Sequence, residues 1–190
     1  MGGKQVVNFK VVASHGMKKK HSTIVDADGK VKAYVITKSG LAKRSETIIL
    51  KKLPSYDGQE PVDPEMLEKS YGIEKDVTLY DFAKIEKKKT GLSTSTASYS
   101  IVFGGEGQYK QLYEAEKLNS MGFHCIVRVP GGDAVATADQ TNATSNVVVN
   151  VAEGVDLAAV LLTGQCTHSD ASTTGAMAGK AEELQADIKA

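Results

Sequence analysis

Residues 99–132 read YSIVFGGEGQYKQLYEAEKLNSMGFHCIVRVPGG, and the reading of this stretch decides the fold class. An apolar run at 100–103 ends in a glycine turn at 104–107. Beyond it, Tyr109, Leu112, Tyr113, Ala115, Leu118 and Met121 recur at the intervals that mark one buried face of a helix. Residues 124–129 are again continuously apolar, as expected of a strand inside a sheet. A strand, a helix and a second strand imply a right-handed parallel crossover, so residues 98–130 predict a βαβ unit.

Working outward toward the N-terminus, residues 4–13 carry Val6, Val7, Phe9, Val11 and Val12 and predict an opening strand. Residues 22–26 and 30–37 predict two strands joined by Ala27-Asp28-Gly29, where glycine supplies the positive φ that a tight hairpin turn requires. A further strand is predicted at 46–50. Asp63 followed by Pro64 is an N-cap with proline at the first helical position, which predicts a short helix over 64–71 closed by Gly72. Leu79, Phe82 and Ile85 predict a second helix that starts near 76–78 and ends in the solvated run Lys87-Lys88-Lys89.

Residues 92–98 have linker composition and coincide with a change in charge sign, dividing the chain into 1–90, β-rich with two short helices, and 91–190, an α/β domain. Residues 134–152 predict one or two strands, chiefly 146–151, and 155–162 a strand or a buried helix. Met177, Ala181, Leu184 and Ile188 predict a closing helix from about residue 173. The expected fold is therefore α/β in the mixed α+β sense. An N-terminal β-hairpin region precedes a sheet domain that contains the βαβ unit and ends in a C-terminal helix.

At 190 residues and 41% hydrophobic content, an ordinary core is affordable without disulfide staples. Aromatic residues make up only 6%, and the second half is crowded with Ala, Gly, Ser and Thr, so that half packs through small side chains. No apolar run approaches the roughly 18–20 residues of a membrane-crossing helix. Cys125 and Cys166 lie far apart and no secretory signal pattern opens the chain, so a reducing, cytoplasmic setting is expected. Net charge is zero, but residues 1–90 carry 18 Lys and Arg against 12 Asp and Glu, while 91–190 carry 5 against 11. That split disfavours simple nucleic-acid binding. It suits attraction between the first half of one copy and the second half of another, or cancellation within one molecule.

Chemistry-bearing motifs are sparse. Gly104, Gly105 and Gly107 would aim backbone amides at a phosphate if a helix followed. A dinucleotide fingerprint wants glycine at 110, where Lys110 stands, and Glu106 occupies the mouth. Gly131 and Gly132, between Pro130 and Asp133, lie at the carboxyl edge where parallel sheets keep ligands. These five glycines carry the alternative expectation of a small enzyme or regulator that binds a nucleotide or phosphate ligand. Asp26 and Asp28 resemble the start of a calcium loop, but the closing glutamate position is Thr37. His124 and Cys125 point to opposite faces of a strand, and Cys166, His168, His15 and His21 complete no metal set. Cys125 sits in an apolar strand where thiols are inert, and no Gly-x-Ser-x-Gly elbow is present. No catalytic residue, metal or cofactor is expected. The basic loop around residues 15–21 reads as solvated.

Phe103-Gly104-Gly105, Met121-Gly122-Phe123 and the run from Cys125 to Ala134 resemble a segment of phage contractile-tail sheath subunits, over about 35 residues. The resemblance implies an α/β segment within a subunit that pairs with its neighbours and has no active site. The expected function is accordingly a non-enzymatic, self-associating structural subunit of a viral particle or similar large assembly, located in the virion or host cytoplasm. Its partners would be copies of itself and other subunits of that assembly, with no membrane and no nucleic acid. The contacts expected to carry association are Val6, Val7, Phe9 and Val11 of the first strand, the hairpin at Gly29, and Leu184 and Ile188 of the last helix.

Overall fold

The computed structural model describes residues 10–13, 21–26, 28–39, 44–90, 94–104, 107–117, 124–140, 147–155 and 163. Ten strands form one sheet in which order along the chain is order in space: β1 (Lys10–Ala13), β2 (His21–Val25), β3 (Val31–Ser39), β4 (Arg44–Lys51), β5 (Tyr80–Lys89), β6 (Ser95–Phe103), β7 (Gln108–Lys117), β8 (His124–Arg128), β9 (Ala134–Gln140) and β10 (Val147–Val151). Every neighbouring pair is antiparallel. A short helix, α1 (Pro64–Tyr71), lies in the β4–β5 connection.

This meander overturns the mixed α/β expectation. The helix expected after the glycine turn is β7, paired on one side with β6 and on the other with β8, so those two strands are joined by no parallel crossover. The helix expected to end at Lys89 is β5 from Tyr80 onward. Both segments carry a β-bulge. Ile49 opposes Ala83 while Leu50 opposes Asp81, leaving Phe82 as the extra residue of β5. Tyr99 opposes Tyr113 while Ser100 opposes Gln111, leaving Leu112 extra in β7. One inserted residue shifts the two-residue alternation out of phase, so apolar positions on either side fall three apart and imitate a helical face. Leu79, Phe82 and Ile85 show this, as do Tyr109, Leu112 and Ala115.

The same device recurs at Lys32 in β3 and at Val135 in β9. Each of the hairpins β2–β3, β4–β5, β6–β7 and β8–β9 thus bulges in its returning strand close to the connection, where a bulge increases local twist.

Local signals that depend on few residues hold. Gly29 has φ 77° in the β2–β3 turn. Asp26 Oδ1 accepts from the amides of Asp28 and Lys30 at 3.1 and 2.9 Å, and Oδ2 lies 2.9 Å from Lys32 Nζ. The hydrogen bond from Lys32, followed by that from the Lys30 amide, holds this carboxyl below the usual range. Its oxygens serve the turn. In α1, Asp63 accepts from the Glu65 amide at 2.9 Å, and Gly72 at φ 68° closes the helix in the left-handed conformation. The Gly72 and Ile73 amides return to the Glu68 and Leu67 carbonyls, which satisfies C-terminal acceptors that would otherwise be orphaned.

Strand alternation sorts side chains onto two faces. One buries Ile24, Val35, Ile49, Ile85 and Tyr99, continuing into Ala115, Cys125, Val127, Ala136 and Ala138. The second half does pack through small residues. Lys87 and Lys117 are buried on this face, each with a partner; the run Lys87-Lys88-Lys89 is therefore not uniformly solvated, because alternation turns Lys87 inward. On the other face α1 and its flanking loop pack Leu67, Ile73 and Leu79 against Ile36 and Leu50. Among the described residues no helix is long and apolar enough to cross a membrane. The expected elements at 155–162 and from residue 173 lie outside the described residues, apart from Val155, which packs on the second-half core, and Thr163, which is buried.

Candidate functional site

Beyond α1 the helix-bearing face is polar, and antiparallel register lines its side chains into rows across six strands. One row runs from Lys38 through Glu46, Glu86, Ser98 and Glu114 to Arg128. The next holds Lys88, Thr96, Glu116 and Ile126. Together they line a trough of about 780 Å³. Residues directly opposite one another on neighbouring strands interact strongly, and like charges there are unfavourable. Glu46 and Glu86 are such a pair. Lys84 resolves it, with Nζ 2.6 Å from Glu86 and 3.7 Å from Glu46. The Glu86 hydrogen bond is the leading reason that the Lys84 ammonium sits above the ordinary lysine range.

Glu46 of the trough also acts electrostatically on Asp81 and Tyr109. Burial, with Glu46 adding to it against the opposing pull of Lys38, raises the Asp81 carboxyl. Burial, then the Asp81 and Glu46 charges, push the Tyr109 phenol up to about 12. A tyrosine that ionises later in the folded chain than in the unfolded one costs stability as pH climbs from 10 toward 12, since the unfolded state loses that proton first. Absorbance titration near 295 nm should show one of the seven tyrosines ionising at about 12, and Tyr109→Phe should remove that step. Survival of the step in the variant would refute the assignment.

Chemically this trough offers donors and acceptors in balance. Its acidic groups Glu46, Glu86, Glu114 and Glu116 lie among the cations Lys38, Lys84, Lys88 and Arg128, and Lys84 pairs with Glu46 and Glu86. Among the described residues no three His, Cys, Asp or Glu side chains gather as metal ligands. His21 packs against Tyr34, and its Nδ1 lies 2.8 Å from the Tyr71 carbonyl, so it ties β2 to α1.

The glycine candidates occupy hairpin turns. Gly104 and Gly107 bracket the β6–β7 turn with φ of 71° and 65°. The Gly107 amide donates to the Gly104 carbonyl. A strand follows, so no helix dipole faces the turn, and a Cβ on Gly107 would come within 2.7 Å of Tyr56 Oη. Gly131 and Gly132 form the β8–β9 turn, where the Gly132 amide donates to Val129 at 2.8 Å. None of these glycines lines the trough. Gly105, Val6, Val7, Phe9, Leu184 and Ile188 lie outside the described residues, as do His15, Cys166 and His168. Val11 is in edge strand β1, and Gly29 is at the connection end of β2 and β3.

Comparison with family models, curated proteins and solved structures found no match to this chain. What the chain does must be argued from its own geometry. Two features were not visible in the sequence. The trough unites residues up to ninety positions apart, which only strand register brings together. The connection end also exposes Leu53, Phe103 and Val129, the first at 77%; as isolated residues these carried no signal.

Proposed function

We propose that this chain is a non-enzymatic structural subunit that associates with copies of itself by pairing sheet edges, within a viral particle or similar large assembly. The observation that carries this reading is the linear strand order: among the described residues β1 pairs with β2 alone and β10 with β9 alone. An edge strand presents a row of backbone donors and acceptors that a further strand can satisfy. β10 reads Val147-Val-Val-Asn-Val, β-prone and without proline or charge to blunt it. In the trough Glu46 and Glu86 are already held by Lys84, which supports a binding rather than a catalytic surface.

Sedimentation velocity at rising protein and salt concentrations tests the proposal. Large species that shrink as salt rises are expected, because attraction between oppositely charged halves is screened within about 10 Å at 0.1 M. A strict monomer under all conditions would remove it.

A further inference from the structure

The number of strands and the distribution of charge together say which edge meets which. Ten strands in strict antiparallel succession leave β1 and β10 running in opposite directions. A second copy placed beside the first in the same orientation therefore sets its β1 antiparallel to the first copy's β10, continuing the alternation inside each molecule. With an odd number of strands, the same placement would force a parallel pair.

Charge separates this arrangement from its rivals. The first 25 residues, which include β1 and β2, contain Lys4, Lys10, Lys18, Lys19 and Lys20 and no Asp or Glu. Residues 129–179, which include β9 and β10, contain Asp133, Asp139, Glu153, Asp156 and Asp170 and no Lys or Arg. Joining β1 to β1 brings together two strands embedded in lysine-rich sequence, and joining β10 to β10 brings together two embedded in acidic sequence. Only β10 against β1 places opposite signs across the junction, and like-charge juxtaposition at an interface is strongly disfavoured.

We infer that the chain polymerises head to tail, the β10 edge of one copy, in an acidic stretch of sequence, adding to the β1 edge of the next, in a lysine-rich stretch. This inference rests on the self-association reading above and specifies its geometry. Such a contact is heterologous and does not close on itself in a dimer, so it propagates into a ring or an open filament. Each copy adds ten strands at about 4.8 Å, lengthening the sheet by roughly 48 Å.

The test uses full-length variants that cap one edge each. Alternate amides of an edge strand point outward, so of Val11→Pro and Val12→Pro the one that keeps wild-type thermal unfolding caps β1. Val148→Pro and Val149→Pro do the same for β10. In sedimentation velocity each capped variant alone should be monomeric, and an equimolar mixture of the two should form dimers and nothing larger. Dimers of either variant alone would show same-edge pairing and overturn the inference, as would a monomeric mixture alongside a wild type that assembles. A wild type that never assembles fails the self-association reading itself.

A variant that leaves the ladder intact guards against misfolding of the proline forms. Glu153 is exposed in the turn after β10, and Glu153→Lys should raise the concentration needed for assembly on the order of tenfold at low salt, with the difference fading as salt rises. An unchanged assembly concentration would count against the acidic edge.

Discussion

Lysine in place of Ala115 is expected to destabilise the protein by at least about 3 kcal/mol, the scale of a buried charge left without compensation. Ala115 is 2% exposed and sits in a row with Ala97 on β6 and Val127 on β8. A further ammonium introduced there enters a layer of small side chains in which Lys87, directly across from Ala97, and Lys117, two residues along β7, are already buried. The neighbouring Glu116 points to the opposite face, where it is exposed. Glu116→Gln should accordingly shift stability by no more than about 0.5 kcal/mol. Urea denaturation followed by circular dichroism measures both. The pair reads strand parity directly, and a cost below about 1 kcal/mol for Ala115→Lys would mean that β7 does not face the core as described.

Leu67→Ala is expected to cost about 2–5 kcal/mol, the range for deleting most of a fully buried leucine side chain. Leu67 is wholly buried between α1 and the sheet, with Ile36, Leu50, Ile73 and Leu79 around it. Ile85 is equally buried but belongs to the cluster on the other face, and Ile85→Val should cost about 0.5–1.5 kcal/mol. Because the two sites share no contacts, the double variant should equal the sum of the singles within about 0.5 kcal/mol. Coupling well beyond that value would show that the two faces form one continuous core.

The two clusters also show where residue patterns succeed and where they fail. α1 was legible because its start and stop depend on Asp63, Pro64 and Gly72, whose side-chain and backbone chemistry acts within one turn. The β2–β3 hairpin was legible for the same reason, through Asp26 and Gly29. β7 was not, although Gln108–Lys117 is rich in Glu, Gln, Lys, Leu and Ala, all good helix formers. Its neighbours decide its conformation: β6 and β8 bond both of its edges, and that cooperative ladder outweighs a per-residue preference of a few tenths of a kcal/mol. The bulges at Phe82 and Leu112 removed the remaining clue by breaking the alternation that marks a strand.

The same division applies to function. Opposite charge at the two ends of the chain is a property of composition and needs no coordinates. That β1 and β10 are the outer strands of the sheet among the described residues depends on strand order, and no periodicity within a segment encodes strand order. The trough is more dependent still, since Lys38 and Arg128 share a row only through the register of five successive strand pairs.

By itself, then, the sequence determined the turns, the caps, the strand-forming apolar runs and the polarity of charge from one end to the other, because each arises from neighbours a few residues apart. The tertiary structure alone decided that segments with helical spacing are strands, that pairing among the described residues is antiparallel, and that β1 and β10 stand at opposite ends of the strand order. The physical reason is that backbone hydrogen bonds in a sheet are made between segments, so a strand's identity and its bulges are set by the strands on either side of it.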